Sequence, residues 1–292
     1  MRTGRIIRSD SGFYYVLSDG LLFECKLRGK QKAVKGKGYP GDVVHFNILE
    51  ADKGIIEKID DKRTFLVRPP IANGDQLYIV MSIALPELDY NLLDRLILLG
   101  KWSKLSVGLI LNKKDEEKKG FLVSVRESYK NADIRLFPAS AMSGEGIEII
   151  KRSLDSKLTI LAGPSGVGKS SILIALDSAL VLKTGLLGEK INRGRHTTRV
   201  SEFYQVGNGL IADTPGFSRL ELPTIDKQEL PALYNEFVPF KGDCQFLSCL
   251  HHKEKKCGVK KAVEEGLIDE GRYKRYLYFL EELTEREERR YK

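Results

Sequence analysis

Residues 163–171 of this 292-residue chain read GPSGVGKSS, and this segment constrains the fold more than any other. It fits the pattern Gly-x-x-x-x-Gly-Lys-Ser/Thr and lies between an apolar run, LTILA, and a run with helical character, SSILIALDSAL. Glycines in that setting let the backbone wrap around an anion, and the amides that begin the helix point towards it. The segment therefore predicts a phosphate loop between a strand and a helix. The alternative is a glycine-rich turn that happens to contain Lys-Ser.

Each residue of the phosphate loop has an expected part in binding a nucleoside triphosphate. Lys169 is expected to neutralise the β- and γ-phosphates, which also makes it a candidate catalytic residue. The hydroxyl of Ser170 is expected to bind the Mg²⁺ ion that accompanies the nucleotide. The other residues expected to surround the phosphates are Gly163, Pro164, Ser165, Gly166, Val167, Gly168 and Ser171.

A second motif, Asn-Lys-x-Asp, follows the apolar run LSVGLIL. We expect this motif to determine which base of a nucleotide is bound. A carboxylate at Asp115 can accept hydrogen bonds from N1–H and the amino group of guanine, which adenine does not offer. The stem of Lys113 can lie along the base, and Asn112 can brace neighbouring loops. A helix cap is the alternative for so short a pattern. In PASAMSG, Ser140 and Ala141 resemble a loop whose backbone amide contacts guanine O6.

The segment DTPG at residues 213–216 predicts the part of the site that senses the γ-phosphate. Asp213 is expected to hold Mg²⁺ through water, and the amide of Gly216 to contact the γ-phosphate. Upstream, Thr197 and Thr198 can supply the hydroxyl that responds to Mg²⁺ and the γ-phosphate, with Thr198 as the Mg²⁺ ligand. A structural turn would also account for DTPG alone.

Hydrolysis requires a group that orients the attacking water. Many GTPases carry a glutamine after the glycine of DTPG, but this chain has Phe217 there. We therefore expect slow unassisted hydrolysis that a partner stimulates. His196, beside the switch threonines, is the candidate for orienting or polarising the water, and a solvent-exposed histidine is its alternative.

The order of these motifs along the chain is rotated. Ordinary GTPases begin with the phosphate loop and end with Asn-Lys-x-Asp. Here the motifs occur in the order Asn112, Ser140, Gly163, Thr198, Asp213. This is a circular permutation of the same cyclic order, and the termini of compact domains commonly lie close enough together to permit it.

Three of the four cysteines lie near the carboxyl end of the chain, close to two histidines. The spacing Cys-x4-Cys-x-His-x5-Cys predicts a four-ligand metal centre formed by Cys244, Cys249, His251 and Cys257. Three thiolates and one imidazole suit a single structural Zn²⁺. His252 competes for the fourth position, and unligated buried cysteines are the alternative. Cys25 is expected to be a small apolar residue of the N-terminal region.

The first 67 residues predict a small β-barrel, because five short strand-like runs are separated by turn sequences. The chain carries a net charge of +8, and residues 1–68 hold 14 basic and 9 acidic residues. Such an excess favours a polyanionic partner, although a solvated basic loop is an equal alternative. Phe13, Tyr14 and Tyr15 share a strand, so an outward aromatic could stack on a base while an inward one belongs to the core.

The rest of the chain is expected to divide into a linker at residues 68–74, an α/β region and a helical end. Apolar runs alternate with helical patterns up to residue 222, which predicts a mainly parallel sheet. We therefore expect a multi-domain α/β protein with domains at 1–67, 68–222 and 223–292. The chain lacks an apolar run of bilayer length and a secretory signal pattern, so a cytoplasmic location is expected.

The motifs NKKD, SAMSG, GPSGVGKSS, RHTT and DTPGF, followed by the cysteine–histidine cluster, resemble the ribosome small subunit-dependent GTPase A (RsgA) family. The resemblance spans nearly the whole chain and includes Asn73, Asp75 and Gln76. It implies an N-terminal OB-fold, a circularly permuted P-loop GTPase domain and a zinc-binding, mainly helical C-terminal domain. It also implies GTP hydrolysis during late maturation of the small ribosomal subunit, stimulated by that subunit and its rRNA. RHTT places the family's proposed catalytic histidine at His196.

Two other functions fit some of these residues. One is a nucleic-acid-binding regulator that uses GTP only as a ligand, and hydrolysis measured with and without small subunits would distinguish it. The other is a metabolic kinase, since GPSGVGKS also resembles guanylate-kinase loops, but a kinase would not need NKKD or DTPG. We expect no membrane partner, GTP and GDP as ligands, and a monomer.

Overall fold

The computed structural model describes residues 1–29, 36–178, 202–213 and 222–290 of the chain. These residues form a barrel, a six-stranded sheet flanked by helices, and a helical carboxyl-terminal region. None of the helices in these ranges combines the length and apolar character needed to cross a membrane.

Five strands near the amino terminus close into a barrel, as the turn pattern predicts. The third and fifth strands pair parallel, and the other neighbours pair antiparallel. Its strands follow the order β1-β2-β3-β5-β4 around the barrel. Their bounds are β1 (Arg2–Asp10), β2 (Phe13–Ser18), β3 (Leu21–Leu27), β4 (Val43–Glu50) and β5 (Lys53–Ile59). Alternate residues face inward, so a compact apolar core that includes Ile6, Val16 and Phe46 fills the barrel.

The three consecutive aromatics of β2 divide between the two sides of the barrel. Tyr14 is buried in the barrel core, whereas Phe13 and Tyr15 are only half-buried. The ammonium of Lys26 lies 4.8 Å from the ring centre of Phe13, and the guanidinium of Arg8 lies 3.9 Å from that of Tyr15. Each outer aromatic is therefore paired with a cation on the barrel surface.

The segment expected to be a linker instead contains a small hairpin held against the barrel. Strands β6 (Phe65–Leu66) and β7 (Ile71–Ala72) pair antiparallel. Asn73, which has φ 57°, donates from Nδ2 to the carbonyl of Gly41 at 3.2 Å and accepts from the amide of Arg63 at 2.8 Å. The predicted linker therefore includes a two-residue strand, because the prolines occupy the turn and leave these backbone groups free to pair.

The central region is a six-stranded sheet in the order β10-β9-β8-β11-β13-β12. Five strands run parallel, and β12 alone pairs antiparallel with its neighbour. Their bounds are β8 (Gln76–Ser82), β9 (Ser106–Asn112), β10 (Arg135–Pro138), β11 (Leu158–Ala162), β12 (Glu202–Val206) and β13 (Gly209–Asp213). The carboxyl ends of the five parallel strands meet at one edge, which is where ligands bind in sheets of this kind.

Helices cover both faces of the sheet, and apolar clusters fill the space on each side. The helices in this region are α1 (Tyr90–Trp102), α2 (Phe121–Tyr129), α3 (Ile147–Ser153) and α4 (Lys169–Leu176). Asp89 caps α1 by accepting from the amide of Leu92 at 3.0 Å. The apolar run that predicts a strand to residue 85 forms β8 only to Ser82, and residues 83–89 form a loop before α1.

The carboxyl-terminal region is mainly helical, as expected. It contains 3₁₀ segments at Leu230–Leu233 and Asn235–Asp243, followed by α5 (Gly258–Glu264) and α6 (Glu270–Arg290). Tyr234, Phe237 and Tyr276 pack ring against ring at its centre, with centroids 4.9 to 5.1 Å apart. Leu98 of α1 belongs to the same apolar cluster, so this region packs directly on the sheet-bearing region.

A buried cluster of charges joins the same two regions. Asp94 of α1 is fully buried and lies 2.5 Å from Nη1 of Arg272 in α6. It also accepts from the hydroxyl of Tyr129 at 2.7 Å and from Nε of Arg275. The second carboxylate, Glu236, lies 2.6 Å from Nη2 of Arg272. Burial disfavours the charge on Arg272, but the two carboxylates outweigh it and raise the pKa of the guanidinium above its ordinary value.

We expect Asp94→Ala to destabilise the protein by roughly 3 kcal/mol, because it leaves two arginines in a buried site without their shared carboxylate. The midpoint of thermal unfolding measures this loss. Glu285→Ala is the matched control, since its ion pair with Arg289 is solvent-exposed and contributes less than about 1 kcal/mol. Equal shifts of the midpoint in the two variants would contradict the importance of the buried cluster.

Candidate nucleotide site and metal centre

The predicted nucleotide motifs follow neighbouring strands of the sheet. Strand β8 lies between β9, which leads to NKKD, and β11, which leads to the phosphate loop. Ser82 pairs with Asn112 across β8 and β9, and Ile79 pairs with Ala162 across β8 and β11. Motifs that are about 50 residues apart in the chain therefore open at the same edge of the sheet.

Asn112 connects three of the predicted loops. Its side chain is buried, and Nδ2 donates to the carbonyl of Val167 in the phosphate loop at 2.9 Å. Its Oδ1 accepts from the amide of Ala141 at 3.1 Å. One carboxamide thus satisfies a donor in the Ser140–Ala141 loop and an acceptor in the phosphate loop, and it fixes their spacing.

The phosphate loop has the backbone that its glycines predict. Gly163, Gly166 and Gly168 all have positive φ, at 143°, 83° and 91°. A Cβ on Gly163 would overlap the carbonyl of Val80, and one on Gly168 would overlap Nδ2 of Asn112. Both positions therefore need glycine for φ and for space.

The side chains of the phosphate loop divide by location. Helix α4 begins at Lys169, so its first amides face the loop. The ammonium of Lys169 donates to the carbonyls of Gly163 and Pro164 at 2.8 and 2.7 Å. Val167 is buried in the apolar cluster, so only its backbone can face a ligand. Ser165, Gly166 and Ser171 are exposed, and Gly168 and Ser170 are half-buried.

We call the loop that carries NKKD, residues 112–115, the base-side loop, and Lys113 fixes its position. This residue adopts the left-handed conformation, with φ 65° and ψ 41°, and its ammonium donates to the carbonyl of Leu85. Asp115 follows in a 3₁₀ turn, Lys114–Glu116, and is exposed. A carboxylate in this position is accessible to a ligand that approaches the edge of the sheet.

The Ser140 loop is ordered by its own hydrogen bonds. Ser140 is fully buried, and its hydroxyl accepts from the amide of Ser143 at 3.0 Å. An ion pair between Lys114 and Glu145 joins this loop to the base-side loop. The structure therefore brings Ser140 and Ala141 beside the Asn-Lys-x-Asp segment.

The switch residues are only partly covered by the structure. Asp213 ends β13, and its Cα pairs with Leu161 next to the phosphate loop. The backbone of the DTPG segment thus begins at the same edge of the sheet. The other predicted switch residues lie outside the described ranges, and their roles stay predictions: His196, Thr197, Thr198 and Gly216.

The loop at residues 83–89 was missed in the sequence, although it borders the site. The carbonyl of Leu85 contacts Lys113, and a Cβ on Gly166 would be 3.7 Å from Cδ of Pro86. Its sequence signal is a serine, Ser82, followed closely by Pro86, because both residue types favour the end of a strand and the start of a turn.

The candidate metal centre lies in the carboxyl-terminal region. Sγ of Cys244 is 3.6 Å from Nδ1 of His251 and 3.9 Å from Sγ of Cys257, and Nδ1 of His251 is 3.3 Å from Sγ of Cys257. Cys249 completes the set, and all four ligand atoms lie within 4.8 Å of one another. His252, the competing histidine, is exposed, and Cys25 is buried in the barrel.

Burial is the largest influence on the pKa values of this cluster. Burial raises the pKa of the Cys249 thiol to about 12 and also raises that of Cys257. Burial, with help from Lys241, lowers the pKa of His251 to about 4, which keeps its imidazole neutral. Thiolates in this site therefore need a positive ion beside them, and a neutral imidazole is the form that binds metals. The residues fit one metal ion.

The chain matches two family models. The RsgA GTPase model matches residues 59–223, and the RsgA N-terminal domain model matches residues 3–56. The small ribosomal subunit biogenesis GTPase RsgA of Caldanaerobacter subterraneus is 42% identical over 290 residues, which cover 99% of this chain and 98% of that protein.

Solved structures agree with the fold. YjeQ from Thermotoga maritima has a TM-score of 0.84 and 33% identity, with 97% of this chain and 98% of that chain covered. YloQ, described as a circularly permuted GTPase, has a TM-score of 0.82 and 32% identity, with 98% of this chain and 96% of that chain covered. The predicted permutation and the barrel are confirmed.

We expect Gly168→Ala to weaken nucleotide binding at least tenfold, because its Cβ would displace Asn112 as well as strain the backbone. Calorimetric titration with GDP measures the change. Gly120→Ala is the matched control, since Gly120 has a similar φ of 87° but nothing within 4 Å of its Cβ position. Equal affinities of the two variants for GDP would rule out the predicted role of the close contact.

We expect Cys257→Ala to lose the bound metal and to lower the thermal midpoint of the carboxyl-terminal region, because a small region stabilised by metal depends on its full ligand set. Elemental analysis of purified protein should find one metal ion per chain in the wild type. Cys25→Ala, a buried cysteine of the barrel, should keep that ion. Equal metal content in the two variants would contradict the assignment of the cluster.

Proposed function

The chain belongs to the RsgA GTPase family, and from this premise we propose that it binds the small ribosomal subunit and hydrolyses GTP to GDP and phosphate during late maturation of that subunit. The observation that best supports the nucleotide site is the bridge made by Asn112. It joins the phosphate loop to the Ser140–Ala141 loop, so that both ends of one nucleotide can be bound together.

In this proposal the base lies against NKKD. Asp115 accepts hydrogen bonds from N1–H and the amino group of guanine, and the stem of Lys113 lies along the ring. The amide of Ala141 lies near guanine O6, and Ser140 supports that loop. Because Asp115 is exposed and its loop is held by Lys113, the carboxylate is accessible to the base.

At the other end of the nucleotide, residues 163–171 surround the phosphates with backbone amides. Lys169 leaves the carbonyls of Gly163 and Pro164 for the β- and γ-phosphates and neutralises charge as the bond to the γ-phosphate breaks. Ser170 and Thr198 would hold the Mg²⁺ ion, with Asp213 acting through water. That ion supplies charge neutralisation between the β- and γ-phosphates.

We assign His196 the role of orienting the attacking water. Thr197 and Thr198 follow it directly in the chain, and the Gly216 amide would contact the γ-phosphate from the other side. Since Phe217 replaces the usual glutamine, hydrolysis is slow until the subunit binds and stimulates it. The loss of subunit stimulation in His196→Ala, with GTP affinity retained, is the expected signature of this role.

The barrel is the proposed rRNA-binding domain. Its outer surface pairs Phe13 with Lys26 and Tyr15 with Arg8, and this combination of aromatic faces and cations suits unpaired bases and phosphates. The excess of basic residues in this domain acts in the same direction. We place the domain boundaries at 1–67, 68–222 and 223–292.

Zinc is the proposed occupant of the cluster formed by the three cysteines and His251. Three thiolates and one imidazole are soft and borderline ligands, and a filled four-ligand shell indicates a structural ion. We also propose that the protein acts as a monomer in the cytoplasm, where it meets small subunits, because one chain supplies every predicted element of the nucleotide site.

We expect purified small subunits to raise the rate of GTP hydrolysis at least tenfold, whereas large subunits leave it unchanged, because the partner completes the active site. Release of phosphate under single-turnover conditions measures this. Hydrolysis that does not respond to small subunits would favour the alternative, a nucleic-acid-binding regulator for which GTP is only a ligand.

Two variants test whether the same assay depends on recognition of the guanine base by Asp115. In Asp115→Asn the amide would face the donors of guanine, so GTP should bind poorly while xanthosine triphosphate, which presents an acceptor there, should restore stimulation. Glu116→Gln alters the neighbouring exposed acid and should leave both unchanged.

A further inference from the structure

Ser82 lies at the end of β8, one strand away from the residues expected to bind the base. Its side chain is 1% exposed, and no predicted motif includes it. The hydroxyl donates to the carbonyl of Leu85 at 3.0 Å and accepts from the amide of Ala84 at 3.2 Å. These two bonds form a serine turn that sets the direction in which the chain leaves the sheet.

The carbonyl of Leu85 has a second partner. It also accepts from the ammonium of Lys113, so one oxygen is shared by a buried hydroxyl and the base-side lysine. The backbone reinforces the link, since the amide of Ile83 donates to the carbonyl of Asn112 at 2.9 Å. Ser82, Leu85 and Lys113 therefore form a continuous chain of hydrogen bonds at the edge of the sheet.

Among the described residues, the hydrogen bonds to the carbonyl of Leu85 come from the hydroxyl of Ser82 and the ammonium of Lys113. The side chain of Leu85 is 69% exposed and does not anchor the loop by burial. The loop has no regular secondary structure between Ser82 and Asp89. The buried hydroxyl of Ser82 thus supplies the specific bond that orients this carbonyl.

A lysine stem can lie flat on a base only if its ammonium is held at a defined point. Lys113 has a flexible four-carbon stem, and fixing it costs conformational entropy unless its end is anchored. The left-handed backbone at Lys113 directs the side chain towards the Leu85 carbonyl. Without a fixed acceptor, the stem would sample other rotamers and the base would lose part of its contact surface.

We propose that Ser82 is a positioning residue for guanine-nucleotide binding, acting on Lys113 through the carbonyl of Leu85. The inference rests on the proposed function, because it assumes that Lys113 lies along the base. It concerns contacts that GTP and GDP share. Loss of the hydroxyl should therefore weaken the binding of both nucleotides and raise the KM for GTP while leaving kcat unchanged.

A double-mutant cycle in the full-length protein tests the proposal. We expect Ser82→Ala to weaken GDP binding about fivefold, the effect of one ordinary hydrogen bond. Lys113→Ala should weaken it more, and the double variant should match Lys113→Ala, since the hydroxyl has no further role once the lysine is gone. Calorimetry with GDP and initial rates with GTP give the affinities, KM and kcat.

Ser103→Ala is the matched control. Ser103 is also buried, but its hydroxyl has no hydrogen-bond partner among the described residues, so its removal should not change GDP affinity. Thermal unfolding of each variant reports general damage to the fold. A merely structural role for Ser82 would lower the midpoint and reduce affinity equally with or without Lys113.

The outcomes distinguish a failure of the proposed base site from a failure of the proposed role of Ser82. If Lys113→Ala leaves GDP affinity unchanged, the proposed base site itself is wrong. If Lys113→Ala weakens binding but Ser82→Ala does not, or if their effects add, the base site stands and the positioning role of Ser82 is refuted. A fall in kcat with unchanged KM in Ser82→Ala would also refute it.

Discussion

The nucleotide site depends on the carboxamide of Asn112. Its two ends face opposite loops, and a side-chain amide offers a donor and an acceptor in one rigid plane. Because the residue is buried, either bond left unmade would cost the full desolvation of a polar group. The spacing between the phosphate loop and the Ser140 loop is therefore set by the length of one side chain.

The carboxyl-terminal region contributes residues to two further polar clusters. The Asp94 cluster binds α6 to α1, and α1 begins directly after the loop that touches Lys113. The cysteine–histidine cluster adjoins the aromatic core, since Cys249 and Cys257 belong to the same apolar cluster as Tyr234 and Phe237. Removing one partner of a buried ion pair leaves the other charge uncompensated, so substitutions within the Asp94 cluster are costly.

Local patterns predicted much of this molecule, and the failures have identifiable causes. The five barrel strands and the parallel sheet follow from short-range periodicity, which is a local property. The hairpin at residues 65–72 was missed because Asn73, which follows it, bonds to Gly41, 32 positions earlier in the chain, and such a contact leaves no local pattern. From the sequence, Asp94 is an ordinary helix residue. Its role in the buried cluster depends on Arg272, which lies 178 positions later in the chain. The sequence at Ser82 indicates a turn, but its proposed positioning role follows only from the structure, in which the carbonyl of Leu85 accepts from both Ser82 and Lys113.

The amino-acid sequence by itself determined which chemistry is available: glycines where φ must be positive, a carboxylate in the Asn-Lys-x-Asp motif, and three thiols with an imidazole at metal-binding spacing. These properties depend on residue type and on short-range sequence, so circular permutation of the motifs leaves them unchanged. Tertiary structure alone decided that the motifs converge, because only the pairing of β8 with β9 and β11 brings Asn112 to Val167. It also decided that His251 and not His252 faces the cysteines, since the direction of a side chain depends on a backbone conformation that packing imposes.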